Sequence, residues 1–127
     1  MNRKFIYVTG PFEGLNEYAK KANITQLDLV CRRVIVAKHI PLCPILFYGA
    51  WMKDPRFYSQ SAWWVDNIFK PIMLQCNYFC YIPPYAGVRN ERLEYEKDIW
   101  KTLNRTRMII ADRLIKYFNE DVDNGHN

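Results

Sequence analysis

The chain has no hydrophobic run long enough to cross a membrane. Its longest apolar stretch, residues 42–51, is interrupted by Pro44 and Gly49, whereas a spanning helix needs about 20 apolar residues. No apolar segment at the start reads as a secretion signal. A cytoplasmic location with no membrane partner is therefore expected. Glycine is scarce, with five in 127 residues, and neither a Walker A loop nor a dinucleotide-binding fingerprint can be traced. The four cysteines (Cys31, Cys43, Cys76 and Cys80) lack zinc-ligand spacing. Cys76 and Cys80 are four apart, but Cys80 falls in a predicted strand and no histidine cluster lies near. Reduced, buried thiols are expected, with no metal and no cofactor. The net charge of +5 permits a phosphate-bearing partner. Lysine and arginine are dispersed, however, and dense only over residues 105–113, so a nucleic-acid surface is not expected.

What is present is a foldable chain, with half of its residues hydrophobic. One domain over residues 1–119 is expected, followed by a polar, flexible tail at 120–127. Residues 4–10 form a β-rich run ending in Gly10, a buried first strand. Pro11 and Gly14 mark a loop. Asn16 is a candidate N-cap with Glu17 in the first turn, and Ala19, Ala22, Leu27, Val30, Val34 and Ala37 recur at helical spacing up to Pro41. His39 sits at that helix end, where a protonated ring suits the dipole. Residues 42–48 read as a second apolar strand and 49–61 as a long loop. Residues 62–76 read as a helix that Pro71 kinks or breaks, 78–82 as a third strand, 107–112 as a fourth, and 114–118 as a terminal turn.

The order β-α-β-α-β-α-β predicts an α/β fold. It is three-layered and flavodoxin- or Rossmann-like, with a mostly parallel sheet of four to five strands and helices on both faces. Ligands in such folds sit beyond the carboxyl ends of the strands. The first of those ends, TGPFEGLN, leads into a helix N-terminus, which suits a phosphate or carboxylate.

The helix within residues 89–100 holds an anomaly. At about 100° per residue, Val88, Leu93, Tyr95, Ile99, Trp100 and Leu103 share a broad apolar face. Glu91, Glu94, Lys97, Asp98 and Lys101 fall outside it. Glu96 falls near its middle, where a carboxylate is costly unless it is paired or functional. Arg92, one turn earlier on the same face, is the candidate partner and would keep Glu96 ionised.

A first strand reading IYVTGPF, a proline after the second strand, an amide before the third, and Tyr-Glu on the following helix are found together. In these features the chain resembles the nucleoside 2-deoxyribosyltransferase-like superfamily, over about residues 5–110. That group includes deoxynucleoside 5′-monophosphate N-glycosidases and small phage and bacterial proteins. The resemblance implies cleavage or transfer at an N-glycosidic bond of a nucleoside or nucleotide. Glu96 would be the nucleophile, Tyr7 would steer it, and Asp66 would assist proton transfer. Thr9, Gly10, Pro11, Gly14, Asn77 and Arg92 would line the substrate site. It also implies a homo-oligomer, with the aromatic-rich residues 57–64 as an interface. On residue type, Trp51, Trp63 and Trp64 are expected either in the core or walling a base pocket. The chain departs from the family where Asn77 stands for aspartate and where Arg92 and Leu93 stand for small residues. A second alignment, through Gly87 and Val88, would put Glu91 in the catalytic slot, but Glu91 turns toward the polar side. Binding of a nucleotide without turnover is the alternative.

Overall fold

The computed structural model describes residues 2–14, 16–54, 56, 60–85, 88–103 and 107–113. The expected terminal turn at 114–118, the tail at 120–127, residues 57–59 of the expected interface and Gly87 of the second alignment lie outside the described residues.

Four short strands, β1 (Phe5–Thr9), β2 (Ile40–Leu42), β3 (Tyr78–Tyr81) and β4 (Met108–Ile110), form one all-parallel sheet in the order β2-β1-β3-β4. Ile6 to Thr9 pair with Tyr78 to Tyr81, and Phe5 to Tyr7 with Ile40 to Leu42. The expected α/β class holds. Because β2 lies on one side of β1 and β3 and β4 lie on the other, the β1–β2 and β3–β4 crossovers run in opposite directions across the sheet. With right-handed connections, α1 (Glu17–Val36) covers one face and α5 (Glu91–Thr102) the other. Alternation along β1 sends Ile6 and Val8 toward α1 and Tyr7 and Thr9 toward α5.

α1 starts where its sequence indicates. The Asn16 side chain accepts the Ala19 N–H at 2.8 Å, and Leu27, Val30 and Val34 form the buried stripe. It ends in a Schellman turn: the His39 N–H reaches the Val34 carbonyl and the Lys38 N–H the Ile35 carbonyl, with Lys38 at φ 69°. His39 does not act as a protonated cap. Its Nδ1 accepts the Lys4 N–H at 3.0 Å, so that nitrogen carries no proton.

The run at 42–48 is not a strand. β2 ends at Leu42, and α2 (Pro44–Met52) follows almost at once. A continuous apolar run fits a buried strand or a buried helix equally well, and Pro44 at the first turn favours the helix. The loop expected over 49–61 is correspondingly shorter. The next helical path is continuous but irregular, with α3 (Ser61–Trp64), a π turn (Val65–Phe69) and α4 (Lys70–Met73). The π turn sits just before Pro71, where the Lys70 N–H bonds the Val65 carbonyl. A π turn is one way to accommodate a proline that lacks an N–H and crowds the preceding turn.

On the α5 face, Tyr7 stacks on Phe79 at 5.1 Å, and Trp100 packs on Phe79 at 5.5 Å. Val88 precedes α5 and is exposed, rather than joining its apolar face. Of the four cysteines expected to be buried, Cys76 and Cys80 are, and Cys31 and Cys43 are partly so. No helix among the described residues is long and apolar enough to cross a membrane.

Candidate functional site

The carboxyl ends of β1 and β3 bring together Tyr7, Thr9, Gly10, Arg92 and Glu96. Strand alternation aims Tyr7 and Thr9 at α5. One helical turn separates Arg92 from Glu96 on the buried side of α5. Its start is set by Asn90, whose side chain accepts the Leu93 N–H at 2.9 Å.

Glu96 is fully buried. The Tyr7 hydroxyl donates to its Oε1. The Thr9 hydroxyl donates to its Oε2 at 3.0 Å, and Arg92 Nη1 donates to the same oxygen. Arg92 is the hub, with its side chain only 1% exposed. Nη1 also reaches Thr9 Oγ1 at 3.3 Å, and Nη2 reaches the Gly10 carbonyl at 2.7 Å. The guanidinium forks onto Glu13, with Nε to Oε2 at 3.1 Å and Nη2 to Oε1 at 2.9 Å. Glu13 was not anticipated from the sequence. A loop carboxylate has no periodicity to mark it. The available signal was that Arg92 carries five donors and one inward carboxylate cannot use them all.

One cation thus serves two carboxylates. Partial burial works against the charged form of Glu13, but hydrogen bonds and charge from Arg92 prevail and bring its carboxyl down to about 2. Burial raises Glu96 above its usual value, against the opposing pull of Arg92, Tyr7 and Thr9. The expectation that Arg92 alone keeps Glu96 ionised is therefore too simple: desolvation is the larger effect. Burial, then the neighbouring Glu96, pushes the Tyr7 phenol well up, so it stays a donor. Arg92 is also raised, because the two carboxylates outweigh its own desolvation.

A cavity of about 610 Å³ lies on the α5 face. Its walls include Glu13, Gln60, Arg89, Asn90, Arg92 and Tyr95. Glu96 is not among them, and Arg92 lies between it and the cavity. A second cavity of about 350 Å³ opens on the α1 face, with Pro11, Asn23, Arg33, Pro83, Tyr85 and Asp112 in its walls. The two flank the point where β1 and β3 send their chains to opposite faces, the usual ligand position in open α/β sheets. The carboxylate chemistry lies on the α5 side, so the 610 Å³ cavity is the candidate ligand site.

The chain matches no family model and no curated protein.

Other residues singled out by sequence are placed differently. Asp66 is exposed on the π turn and accepts the Tyr95 hydroxyl at 2.6 Å, so it meets the cavity through Tyr95. Asn77 is not brought to the site. It precedes β3, at the amino end of the sheet, where its Oδ1 accepts the Phe5 N–H at 2.9 Å. Gly14 packs on α1, where a Cβ would stand 2.7 Å from the Lys20 nitrogen. Glu91 is exposed in the cavity wall, which supports Glu96 as the inward carboxylate. Trp64 is buried, while Trp51 and Trp63 are about half exposed, and none of the three lines the 610 Å³ cavity.

Proposed function

We propose that this chain binds a nucleoside or nucleoside 5′-monophosphate in the 610 Å³ cavity and breaks its N-glycosidic bond, with Glu96 as nucleophile. The observation that carries the reading is the contact of Tyr7 with a fully buried Glu96 at the carboxyl ends of β1 and β3. That is where the resemblance to deoxyribosyltransferase-like proteins puts its reacting carboxylate and steering tyrosine. Arg92 Nη1 and the Thr9 hydroxyl release Oε2 while Nη2 keeps the Gly10 carbonyl, and the freed oxygen bonds the anomeric carbon as the carbon–nitrogen bond breaks. The fixed carboxylate also stabilises the oxocarbenium-like transition state. The departing base takes the Tyr95 phenol proton at the cavity wall, where Asp66 holds the hydroxyl in place, and Tyr95 regains a proton from the acceptor that later takes the glycosyl group. Water or a second base then takes the glycosyl group and frees Glu96. Hydrolysis and transfer share all but this last step. The proposal includes a homo-oligomer in a cytoplasmic setting.

One observation favours a second reading, binding without turnover. Both oxygens of Glu96 are engaged, and neither has exposed surface. The two readings separate in one experiment, in which native protein and Glu96→Gln are incubated with a panel of nucleosides and 5′-monophosphates. Free base and melting temperature are both read. The enzyme reading expects base release by native protein alone, with thermal shifts in both. Shifts without released base leave sequestration. Neither shift nor release removes both.

A further inference from the structure

Arg92 presents a planar fork of donors at the cavity wall, and a carboxylate of the chain itself fills it. We propose that Glu13 is the resident occupant of an anion site, and that a phosphate- or carboxylate-bearing ligand entering the 610 Å³ cavity takes its place on Arg92.

Four features support this exchange. First, the two partners differ in burial. The Arg92 side chain is 1% exposed and the Glu13 side chain 43%. Glu13 can therefore leave for water, while Arg92 stays. Second, Arg92 remains anchored without Glu13, because Thr9, Gly10 and Glu96 still hold Nη1 and Nη2. The fork is preorganised for two oxygens in one plane, which a phosphate or carboxylate supplies. Third, the Glu13 backbone is tied independently, because Asn23 Nδ2 donates to its carbonyl at 3.1 Å. The exchange is thus a side-chain rotation and needs no loop movement. Fourth, the cavity offers replacement donors. Asn90 Nδ2, now 3.3 Å from Glu13 Oε1, passes to the ligand, and Arg89 and Ser61 also line the space. Glu91 is the opposing charge there; it is exposed, so water screens it.

The inference rests on this cavity being the ligand site but not on glycosidic chemistry. Its consequence is that the protein holds its own anion site closed. A site open only a fraction of the time has its apparent affinity reduced by that fraction.

The test titrates inorganic phosphate and, separately, acetate into native protein and Glu13→Gln by calorimetry at constant ionic strength. Glu13→Gln should bind one of them about 10- to 100-fold more tightly than native protein. A gain for phosphate identifies a phosphate-bearing ligand, and a gain for acetate alone a carboxylate. Equal affinities, or no binding to either protein, overturn the proposal. A measurement on native protein guards against a variant that fails to fold. The Glu13 carboxyl, followed by carbon NMR, should titrate near 2 without ligand and return to the ordinary carboxylate range under saturating anion. A midpoint that stays low while anion is bound overturns the proposal equally. Neither readout depends on base release, so the failure of this idea and that of the glycosidic one are distinguishable.

Discussion

Glu96 and Glu13 share one guanidinium but differ in exposure, and their proton affinities are driven apart. Glu13 keeps part of its hydration and gains Arg92, so its folded value falls to about 2 from the usual 4.5. Its stabilising contribution is complete above the unfolded value and is lost as pH falls through this window. Glu96 loses all of its hydration, and its folded value rises above the same 4.5. The folded state then holds that proton more tightly than the unfolded chain does. Stability therefore declines as pH rises from 4.5 through the folded value of Glu96. The two groups therefore act in opposite directions: the Glu13 contribution is lost on the acid side of 4.5, and the Glu96 contribution declines on the alkaline side. Urea midpoints measured between about pH 3 and pH 8 check this. Glu96→Gln should abolish the decline on the alkaline side and leave the acid-side loss in place. An unchanged alkaline slope would mean that Glu96 is ionised throughout.

Among the elements, α1 and α5 were the most legible. α1 carries an apolar stripe, an Asn cap and an acidic first turn, and all three agree. α2 was not legible as a helix. Its residues are apolar on every side, so neither a period of two nor one of 3.6 appears, and only Pro44 hinted at a helical start. Pro71 signalled an irregularity, but nothing in a single sequence distinguishes a kink, a break and a π turn. The end of α1 carries a flaw that sequence reading also passed over. Lys38 occupies the left-handed position of the Schellman turn, where glycine is the residue without a steric penalty. Lys38 is exposed, so replacing it disturbs no packing. Lys38→Gly should therefore stabilise the protein by about 0.5–1 kcal/mol, after the extra freedom of glycine in the unfolded chain is deducted. Chemical denaturation reads it directly, and a loss of stability would show that the side chain contributes more than its backbone strain costs.

At the scale of the whole molecule, the sheet order β2-β1-β3-β4 creates the site. The chain leaves β1 toward one face and β3 toward the other, and the crevice between them opens into a cavity on each side. The inward turn of Glu96 was legible because helical geometry is local and regular. The joining of Glu13 to Arg92, 79 residues apart, was not, because it depends on where a loop without periodicity lies over a strand end. The same geometry sets a prediction for ligand binding. If the proposed ligand binds, a nucleoside 5′-monophosphate at about one hundred times its Kd would stabilise the folded state by about 2.7 kcal/mol. For a domain of this size each kcal/mol raises Tm by roughly 3–6 °C, so a rise of about 10 °C is expected. Glu96→Gln should keep that rise, because the neutral amide still meets Tyr7, Thr9 and Arg92. Arg92→Lys retains the charge facing Glu96 but loses the planar fork, and it should lose most of the rise. If Arg92→Lys keeps it in full, the ligand belongs in the α1-face cavity beside Asn23 and Arg33, and the α5-face reading is wrong.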